Sequence, residues 1–352
     1  MKQQLPPLGV WFGKAPSMAL CILAAIALTA PAIVHLSGNN TDTSHLDNQR
    51  PAPFPALPTA VDVENFDRLW LLRKRLVYYM DNVFGLRAEF LILNAHIRML
   101  IGLPAADNLV AGRDGWHFLK TAEDILDQYR GIKPLSAAAL DAWIDTMERR
   151  QREVEAQGSA FIVLVVPDQQ TVYPDYMPAW ATRVGPTRLD QIVQRLKERG
   201  SQLKFIDPRA AMQAARNEGL KLYSAYEGHW TQLGAFVGYS AIMRQAASSL
   251  ANIRVLQASD FSPGTGTVRW IMPPVTETQP TLTIRNILPP DGAPDLMIVG
   301  DSFVDVLKGF LDATFKSVAV RFNLYPFPSE DIRRQRPALV VYETAERFLG
   351  HR

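Results

Sequence analysis

The sequence of 352 residues predicts an α/β protein in which helices flank an open parallel sheet, with an N-terminal membrane segment in front of it. A continuous apolar run at residues 161–166 is typical of a buried parallel strand. Helical and strand patterns alternate from residue 136 onward. One strongly apolar stretch, residues 18–36, is long enough to cross a bilayer.

The composition favours a large folded body and argues against nucleic-acid binding. Hydrophobic residues make up 47% of the chain and charged residues 20%, so a sizeable core can form. The formal net charge of +2 is too small for a nucleic-acid footprint, and no helix-turn-helix or RNA-binding pattern is present. The single cysteine, Cys21, permits no intrachain disulfide and says nothing about the redox compartment.

The apolar stretch at 18–36 is interpreted as an uncleaved signal anchor. At a helical rise it measures roughly 28 Å, close to the thickness of bilayer hydrocarbon. Ala30-Pro31-Ala32 also resembles the cleavage site of a secretory signal, and a buried core helix is a third interpretation. Lys2 and Lys14 precede the stretch and few positive charges follow it, which predicts a cytoplasmic N-terminus with the bulk of the chain outside.

Three regions follow from these patterns. Residues 1–36 are predicted to be a cytoplasmic tip and the anchor, and residues 37–60 a flexible linker rich in Asn, Thr, Asp and Pro. Residues 61–352 form the folded domain, including its lead-in helices. Within it, residues 251–294 are a proline-rich insertion with a few β-like runs, either a lid or a long loop.

The elements of the folded domain are justified in order along the chain. Apolar residues at three- and four-residue steps predict lead-in helices at 66–85 and 87–101, and an Asp-Gly turn predicts a hairpin at 112–115. The alternating part is then predicted as helix 136–157, strand 161–166, helix 187–199, strand 203–206, helix 232–250, strand 296–299, helix 303–314, and strands 318–322 and 339–342. Open sheets of this kind bind ligands beyond the carboxyl ends of their strands.

Ser302 is the candidate nucleophile. It follows the apolar run 295–299 at a predicted strand-to-helix turn, where the first backbone N–H groups of a helix can stabilise an oxyanion. Gly300 permits the sharp turn. The alternative is that Asp301 or Ser302 only caps the helix.

His229 is the candidate base and Glu227 its orienting acid. A neutral imidazole can take a serine proton and return it to an oxygen. In an extended segment residues two apart point the same way, so the Glu227 carboxylate can hold the ring in the required tautomer. Thr231 is predicted to cap the next helix, starting at Gln232. No further ligands cluster with this pair, so no metal site is expected, and no cofactor.

These motifs resemble those of the alginate O-acetyltransferases of the AlgJ/AlgX type, whose domain is SGNH-hydrolase-like. The resemblance covers roughly residues 61–349, and the order is permuted, with acid and histidine before the serine. The matching motifs are Gly300-Asp-Ser-Phe303, Glu227-Gly-His-Trp-Thr231 with Gly234-Ala235, Gly112-Arg-Asp-Gly-Trp116, Val172-Tyr-Pro-Asp-Tyr-Met-Pro178, Tyr79-Met-Asp-Asn-Val-Phe-Gly-Leu-Arg87 and the segment 336–349.

The resemblance implies a periplasmic enzyme, anchored in the inner membrane, that transfers acetyl groups to a secreted exopolysaccharide such as alginate. Ser302 would be the nucleophile, His229 the base and Glu227 the acid of the triad. A multispanning membrane O-acyltransferase would deliver the acetyl group. Two departures from the family pattern stand out: Glu227 replaces an aspartate, and Asp168-Gln-Gln170 occupies a loop where lysine is frequent.

Other polar and aromatic residues are weaker candidates. Tyr173, Trp230, Arg321 and Asn323 are suited to contact sugar hydroxyls or support an oxyanion, together with Gly300 and Asp301, although each has a structural interpretation as well. The basic cluster of Arg333, Arg334 and Arg336 is either a solvated face or an attraction for an acidic polymer. Glu343, Glu346 and Arg347 are expected to form a local ion-pair group without a catalytic role.

Two other functions remain open at this stage. An acetylesterase of the same fold would pass the acyl group to water, and a noncatalytic polysaccharide-binding scaffold would keep the fold after losing chemistry through the Glu227 change.

Overall fold

The computed structural model describes residues 14–38, 43, 52–56, 66–120, 124–270, 273–285, 287–322 and 326–350. It divides into two compact units. The first lies within residues 1–101 with 271–274, and the second within 102–270 with 275–352. The two lead-in helices therefore group with the N-terminal segment.

The described residues of the first unit contain three helices, α1 (Lys14–Leu36), α2 (Phe66–Val83) and α3 (Arg87–Leu100). The helices α2 and α3 match the two predicted lead-in helices, and α1 includes the apolar stretch at 18–36. Among the described residues, α1 is the one helix long and apolar enough to cross a membrane, by length and composition. The turn from α2 to α3 passes through Leu86, which has a left-handed backbone (φ 64°).

The second unit begins with the predicted hairpin and continues as an alternation of helices and strands. Its helices and strands are β1 (Leu109–Ala111), β2 (His117–Leu119), α4 (Ile125–Arg130), α5 (Ala137–Glu155), β3 (Ala160–Val166), α6 (Gln169–Val172), α7 (Arg188–Glu198), β4 (Phe205–Ile206), α8 (Arg209–Asn217), α9 (Gln232–Ala246), β5 (Phe261–Arg269), β6 (Thr276–Ile284), β7 (Asp295–Gly300), α10 (Val304–Asp312), β8 (Ser317–Phe322), α11 (Ser329–Gln335) and β9 (Leu339–Ala345).

Local sequence explains where the long helices begin. The Ser136 side chain accepts a hydrogen bond from the N–H of Ala139 at the start of α5. Thr187 and Asp190 form a reciprocal capping box at the start of α7. Thr231 accepts from the N–H of Gly234 and caps α9, as its sequence context predicted.

The central sheet has the strand order β4-β3-β9-β7-β8, and all its pairs are parallel. The last strand in sequence, β9, therefore lies in the middle, between β3 and β7. The carboxyl ends of these three strands meet at one edge of the sheet, where chain direction places Pro167, Asp301 and Glu346. The predicted α/β class with a parallel sheet flanked by helices is confirmed.

Successive residues of the central strands pack on opposite faces of the sheet, in two hydrophobic layers. Ile162 and Leu164 of β3 pack in one layer with α9 and α10, whereas Phe161 and Val163 pack in the other with α5 and α7. Both faces of the sheet are thus covered, which explains why its strands read as continuous apolar runs.

The proline-rich insertion contains a β-hairpin. Strands β5 and β6 pair antiparallel over nine residues each, from Phe261 opposite Ile284 to Arg269 opposite Thr276. Residues 251–294 are therefore better described by this hairpin than as a long loop. The short helices α4, α6, α8 and α11 were not predicted from the sequence either.

Candidate active site

Ser302 lies at the carboxyl edge of the sheet, in the turn between β7 and α10. A Cβ atom at Gly300 would collide with the carboxylate of Glu343 and the side chain of Val304, so only glycine fits at the end of β7. The Ser302 side chain is exposed, and its Oγ lies 2.6 Å from Nε2 of His229. The hydroxyl is therefore in hydrogen-bond contact with a base.

Asp301 holds this turn from the inside. Its Oδ1 accepts from the N–H of Phe303 at 3.0 Å, and its Oδ2 accepts from the N–H of Ala345 at 2.7 Å. Its own N–H donates to Oε2 of Glu343 at 2.9 Å. No side chain caps α10 at its N-cap residue Phe303. Asp301 instead braces the turn before the helix and ties it to the end of β9, while Ser302 is left to bond His229.

His229 and Glu227 belong to one short loop. The loop is closed by an antiparallel bridge between Tyr223 and Trp230. One carboxylate oxygen of Glu227 contacts Nδ1 of the His229 ring, and the other accepts from the His229 backbone N–H at 3.0 Å. An Nδ1–H that donates to Glu227 leaves Nε2 free to accept a proton from Ser302. Both side chains are about one third exposed, at 31% and 33%.

The loop and the serine turn are joined at a second, neighbouring position. Trp230 follows His229 and donates from Nε1 to the carbonyl oxygen of Phe303, the residue after Ser302, at 3.1 Å. The His229 and Phe303 rings also pack, with centroids 4.8 Å apart. Two consecutive residues of each segment are therefore paired, which fixes the register of His229 against Ser302.

The buried cation Arg347 supports the loop that carries Glu227 and His229. Arg347 donates from Nη2 to the carbonyl oxygen of Gly228 at 3.0 Å and from Nε to Oδ1 of Asp168 at 2.6 Å. Both charged side chains are buried, at 8% and 5% exposure. The Asp168–Arg347 pair thus connects the ends of β3 and β9 to the segment that carries His229.

Two buried carboxyl groups of β9 and its extension lie behind the site. Glu346 accepts from the N–H of Asp168 and from the hydroxyl of Thr171, and burial together with the Asp168 charge raises its pKa to about 7. Burial and the Asp301 charge raise the pKa of Glu343 well above its ordinary value. The close ion pair of Arg347 is made with Asp168, outside the expected group of three, while Glu343 and Glu346 accept hydrogen bonds from the loops of the site.

Glu277 of β6 attaches the hairpin to the same loop. Its carboxylate accepts from the Ser224 hydroxyl at 2.6 Å and the Ala225 N–H at 2.8 Å, and it pairs with Lys221 at 2.6 Å. Burial opposes ionisation of Glu277, but these partners outweigh it and lower its pKa to about 2. The predicted insertion thus contributes a fixed anchor for the segment before His229.

The remaining predicted site residues do not converge on Ser302. Tyr173 is buried, and its hydroxyl accepts from the N–H of Leu222 at 2.8 Å. Trp230 is buried as well, with its N–H committed to Phe303. Arg321 bonds Asp331 at 2.8 Å. These contacts favour the structural interpretation of the three residues.

Asn323 lies outside the described residues. Among those described, no group of three or more His, Cys, Asp and Glu side chains is arranged to hold a metal ion.

Sequence reasoning missed Asp168, Arg347 and Glu277 as supports of the site. A signal existed for the first two. Asp168 follows the apolar strand 161–166, and Arg347 follows an apolar strand that already contains Glu343. Charges beside buried strands need partners, because an unpaired buried charge is costly. The sequence does not reveal which of these charged residues form ion pairs with each other.

Comparison with known proteins connects this geometry to a family. The model of the SGNH hydrolase-like domain of the acetyltransferase AlgX matches residues 109–322, more than half of the chain. No curated protein matches the chain.

Several solved structures are similar to this chain at low sequence identity. Bacillus cereus PatB1 is 13% identical with a TM-score of 0.50, covering 68% of this chain and 96% of that one. The O-acetyltransferase domain of Pseudomonas putida AlgJ is 19% identical with a TM-score of 0.48, covering 70% and 93%. Pseudomonas aeruginosa AlgX is 16% identical with a TM-score of 0.47, covering 67% and 61%. The resemblance inferred from the motifs is confirmed by the family match, and the chain belongs to the AlgX family of SGNH hydrolase-like acetyltransferase domains.

Proposed function

We propose that this protein is an O-acetyltransferase of the cell envelope that transfers acetyl groups to hydroxyls of a secreted, alginate-like exopolysaccharide through an acetyl ester on Ser302. The observation that carries the proposal is the continuous hydrogen-bonded chain from Glu227 through His229 to Ser302. It occurs in a domain whose family is an acetyltransferase family. A serine activated by an oriented imidazole is the group that acyl transfer requires.

In the first half-reaction, Oγ of Ser302 attacks the carbonyl carbon of an acetyl ester while Nε2 of His229 takes the hydroxyl proton. The positive charge that develops on the ring is stabilised by Glu227. The tetrahedral intermediate then collapses, the bond to the donor oxygen breaks, and His229 returns the proton to that oxygen. Ser302 is left as an acetyl ester.

The oxyanion of that intermediate needs donors close to Ser302. The backbone N–H of Ser302 donates to no residue within the described ranges, whereas that of Asp301 is committed to Glu343. The Ser302 N–H, in the turn that leads into α10, is therefore the donor we assign to the oxyanion. Gly300 and Asp301 act on it indirectly, by fixing the turn.

In the second half-reaction, a sugar hydroxyl gives its proton to Nε2 of His229 and attacks the acetyl carbonyl. Collapse breaks the bond to Oγ, and the proton returns to Ser302. Water in place of the sugar would give free acetate, the reaction of an esterase. The partial exposure of His229 and Glu227 leaves room for a polymer hydroxyl to reach the ring.

The cellular arrangement follows from α1. We propose that α1 is a single-pass anchor in the inner membrane and that the second unit works in the periplasm. An acetyl donor must then cross or be delivered at that membrane, and a multispanning membrane O-acyltransferase is the proposed donor partner.

The test uses the full-length chain in detergent micelles with an activated acetyl ester as donor and an oligosaccharide as acceptor. Mass spectrometry measures acetylated sugar, free acetate and the acetylated Ser302 peptide. Ser302→Ala should lower turnover by roughly 10³-fold or more, because the covalent step is lost. Ser262→Ala, an exposed serine of the hairpin, is the matched control and should retain activity.

The products separate the rival functions. Acetylated sugar supports transfer, and acetate alone indicates an esterase. Sugar binding without turnover indicates a noncatalytic scaffold. Unchanged turnover in Ser302→Ala would exclude the acetyl-serine mechanism.

A further inference from the structure

The outer face of α3 is apolar and uncovered. Phe90, Leu93, Ile97 and Leu100 are 44%, 54%, 50% and 86% exposed. Their spacing of three, four and three residues places them in one stripe along the helix. The opposite face of α3 is apolar too, and its Ala95 is fully buried. A helix that is apolar on both faces needs a second apolar environment.

The exposed stripe continues onto α2. Leu69, Trp70, Val77 and Met80 are exposed there. Met80 and Phe84 line a groove between the helices together with Phe90 and Leu91 of α3, and Asp81, Arg87 and Asn94 line it as well. The exposed apolar side chains of the two helices therefore adjoin across a groove that also holds polar side chains, and together they form a larger apolar surface than the isolated exposed side chains usual on a soluble domain.

The turn between α2 and α3 is joined to the end of the candidate membrane helix. Nδ1 of His35, in the last turn of α1, bonds the carbonyl oxygen of Val83 at 3.1 Å. A Cβ atom at Gly85 would collide with the carbonyl oxygen of Pro31, so the turn packs directly on α1. The apolar surface thus starts at the level where α1 would leave the bilayer.

The polar residues of this segment suit a lipid surface. Residues 66–101 contain six Lys and Arg against three Asp and Glu, so the segment is basic. Lys74 lies over the ring of Trp70, 3.8 Å from its centroid. Aromatic rings and basic side chains beside an apolar stripe are the composition of helices that lie in the interface of an anionic membrane.

We propose that α2 and α3 form a membrane-surface element: they lie in the outer headgroup layer of the bilayer that α1 crosses, with the α3 stripe inserted among the lipid chains. The occupant of the apolar surface is lipid, because the surface adjoins the end of the span and its surroundings are basic. The inference rests on the proposed membrane anchorage of α1, and it adds a second level of attachment at the surface.

The test places one nitroxide label at a time on the full-length chain in vesicles of phosphatidylcholine and phosphatidylglycerol. The native Cys21 reports the span itself, since it is the only cysteine. In a Cys21→Ser background, labels at Leu93→Cys and Ile97→Cys report the stripe. A label at Ser262→Cys, exposed on the hairpin, is the aqueous reference. Collision rates with oxygen and with a water-soluble nickel chelate are measured at each site.

The stripe labels should collide with oxygen several-fold more and with nickel several-fold less than the Ser262 reference, at a shallower depth than Cys21. Stripe labels that match the aqueous reference would overturn the proposal. Labels shielded from both reagents would overturn it too, because they would show a protein partner or a second copy on the stripe. If Cys21 reads as membrane-embedded in either case, the anchor stands and only the surface element fails; an aqueous Cys21 overturns both.

Discussion

Arg347 donates a hydrogen bond to the carbonyl oxygen of Gly228, the residue that separates Glu227 from His229. The guanidinium makes this bond while its Nε is bonded to the buried carboxylate of Asp168. The position of the proposed base therefore depends on an ion pair that lies at the ends of two central strands.

Replacing Arg347 should damage both stability and turnover. Arg347→Met removes the buried cation that pairs with the Asp168 carboxylate, and we expect a loss of roughly 3–5 kcal/mol in the free energy of unfolding. Adding Asp168→Asn should recover part of that loss, because the carboxylate that Arg347 balances is then neutral. Arg347→Lys keeps the charge but lacks the planar guanidinium that donates to two acceptors at once. We expect this variant to fold and to have a lower turnover rate than wild type. Urea unfolding and acetyl-transfer rates check this; equal stability of the single and double variants would contradict the role of the pair.

Glu227 uses both carboxylate oxygens on one residue, His229. In Glu227→Gln only one side-chain oxygen remains as an acceptor, so either the ring or the backbone N–H loses its partner. We expect turnover to fall by roughly 10²–10⁴-fold, the range for loss of an orienting acid. Glu227→Asp keeps the charge on a shorter side chain, so its turnover should lie between those of wild type and Glu227→Gln. Full activity of Glu227→Gln would remove the acid from the mechanism.

Two glycines near Ser302 should respond in opposite directions to alanine. Gly300→Ala places a methyl group against Glu343 and Val304, and we expect a loss of about 1–3 kcal/mol with impaired turnover. At Gly309, inside α10, a Cβ atom meets nothing within 4 Å, so Gly309→Ala should gain about 0.5–1 kcal/mol from helix propensity. Thermal unfolding and turnover of both variants measure this contrast. Equal stability and turnover of Gly300→Ala and Gly309→Ala would show that the turn at Gly300 can accommodate a methyl group.

The ionised Glu277 should make the fold sensitive to acid. Its pKa falls from 4.5 in the unfolded chain to about 2 in the folded protein, so its stabilisation is complete above pH 4.5 and is lost as the pH falls toward 2. A difference of that size corresponds to about 3 kcal/mol. Unfolding free energies across this pH range should therefore drop more steeply for wild type than for Glu277→Gln. Parallel curves would mean that Glu277 is not held ionised by Lys221 and Ser224.

The central strands could be predicted from sequence because burial on both faces leaves an unmistakable apolar run, as at residues 161–166. The hairpin could not. Pro263, Gly264, Gly266 and Pro280 interrupt its strands, and proline and glycine normally argue against a strand. Each strand of a two-stranded ribbon has a free edge, so a residue without a backbone N–H is tolerated there.

In the candidate site, too, some features could be predicted from the sequence and others could not. Ser302 and the Glu227–His229 pair were predictable because each sits in a short local pattern. Arg347 and Asp168 are 179 positions apart, and only the placement of β9 beside β3 brings them together. Tyr173 had two interpretations from sequence, a sugar contact and a structural role, and its burial and its bond to the N–H of Leu222 favour the structural one.

Glu227 and His229 lie two positions apart, whereas Ser302 is 73 positions from His229. The three side chains are thus connected by one long-range contact, Ser302–His229, and one local contact, Glu227–His229. Separation of the serine turn from the His229 loop would therefore break the contact of Ser302 with the imidazole, whereas the Glu227–His229 contact lies within the loop and would remain.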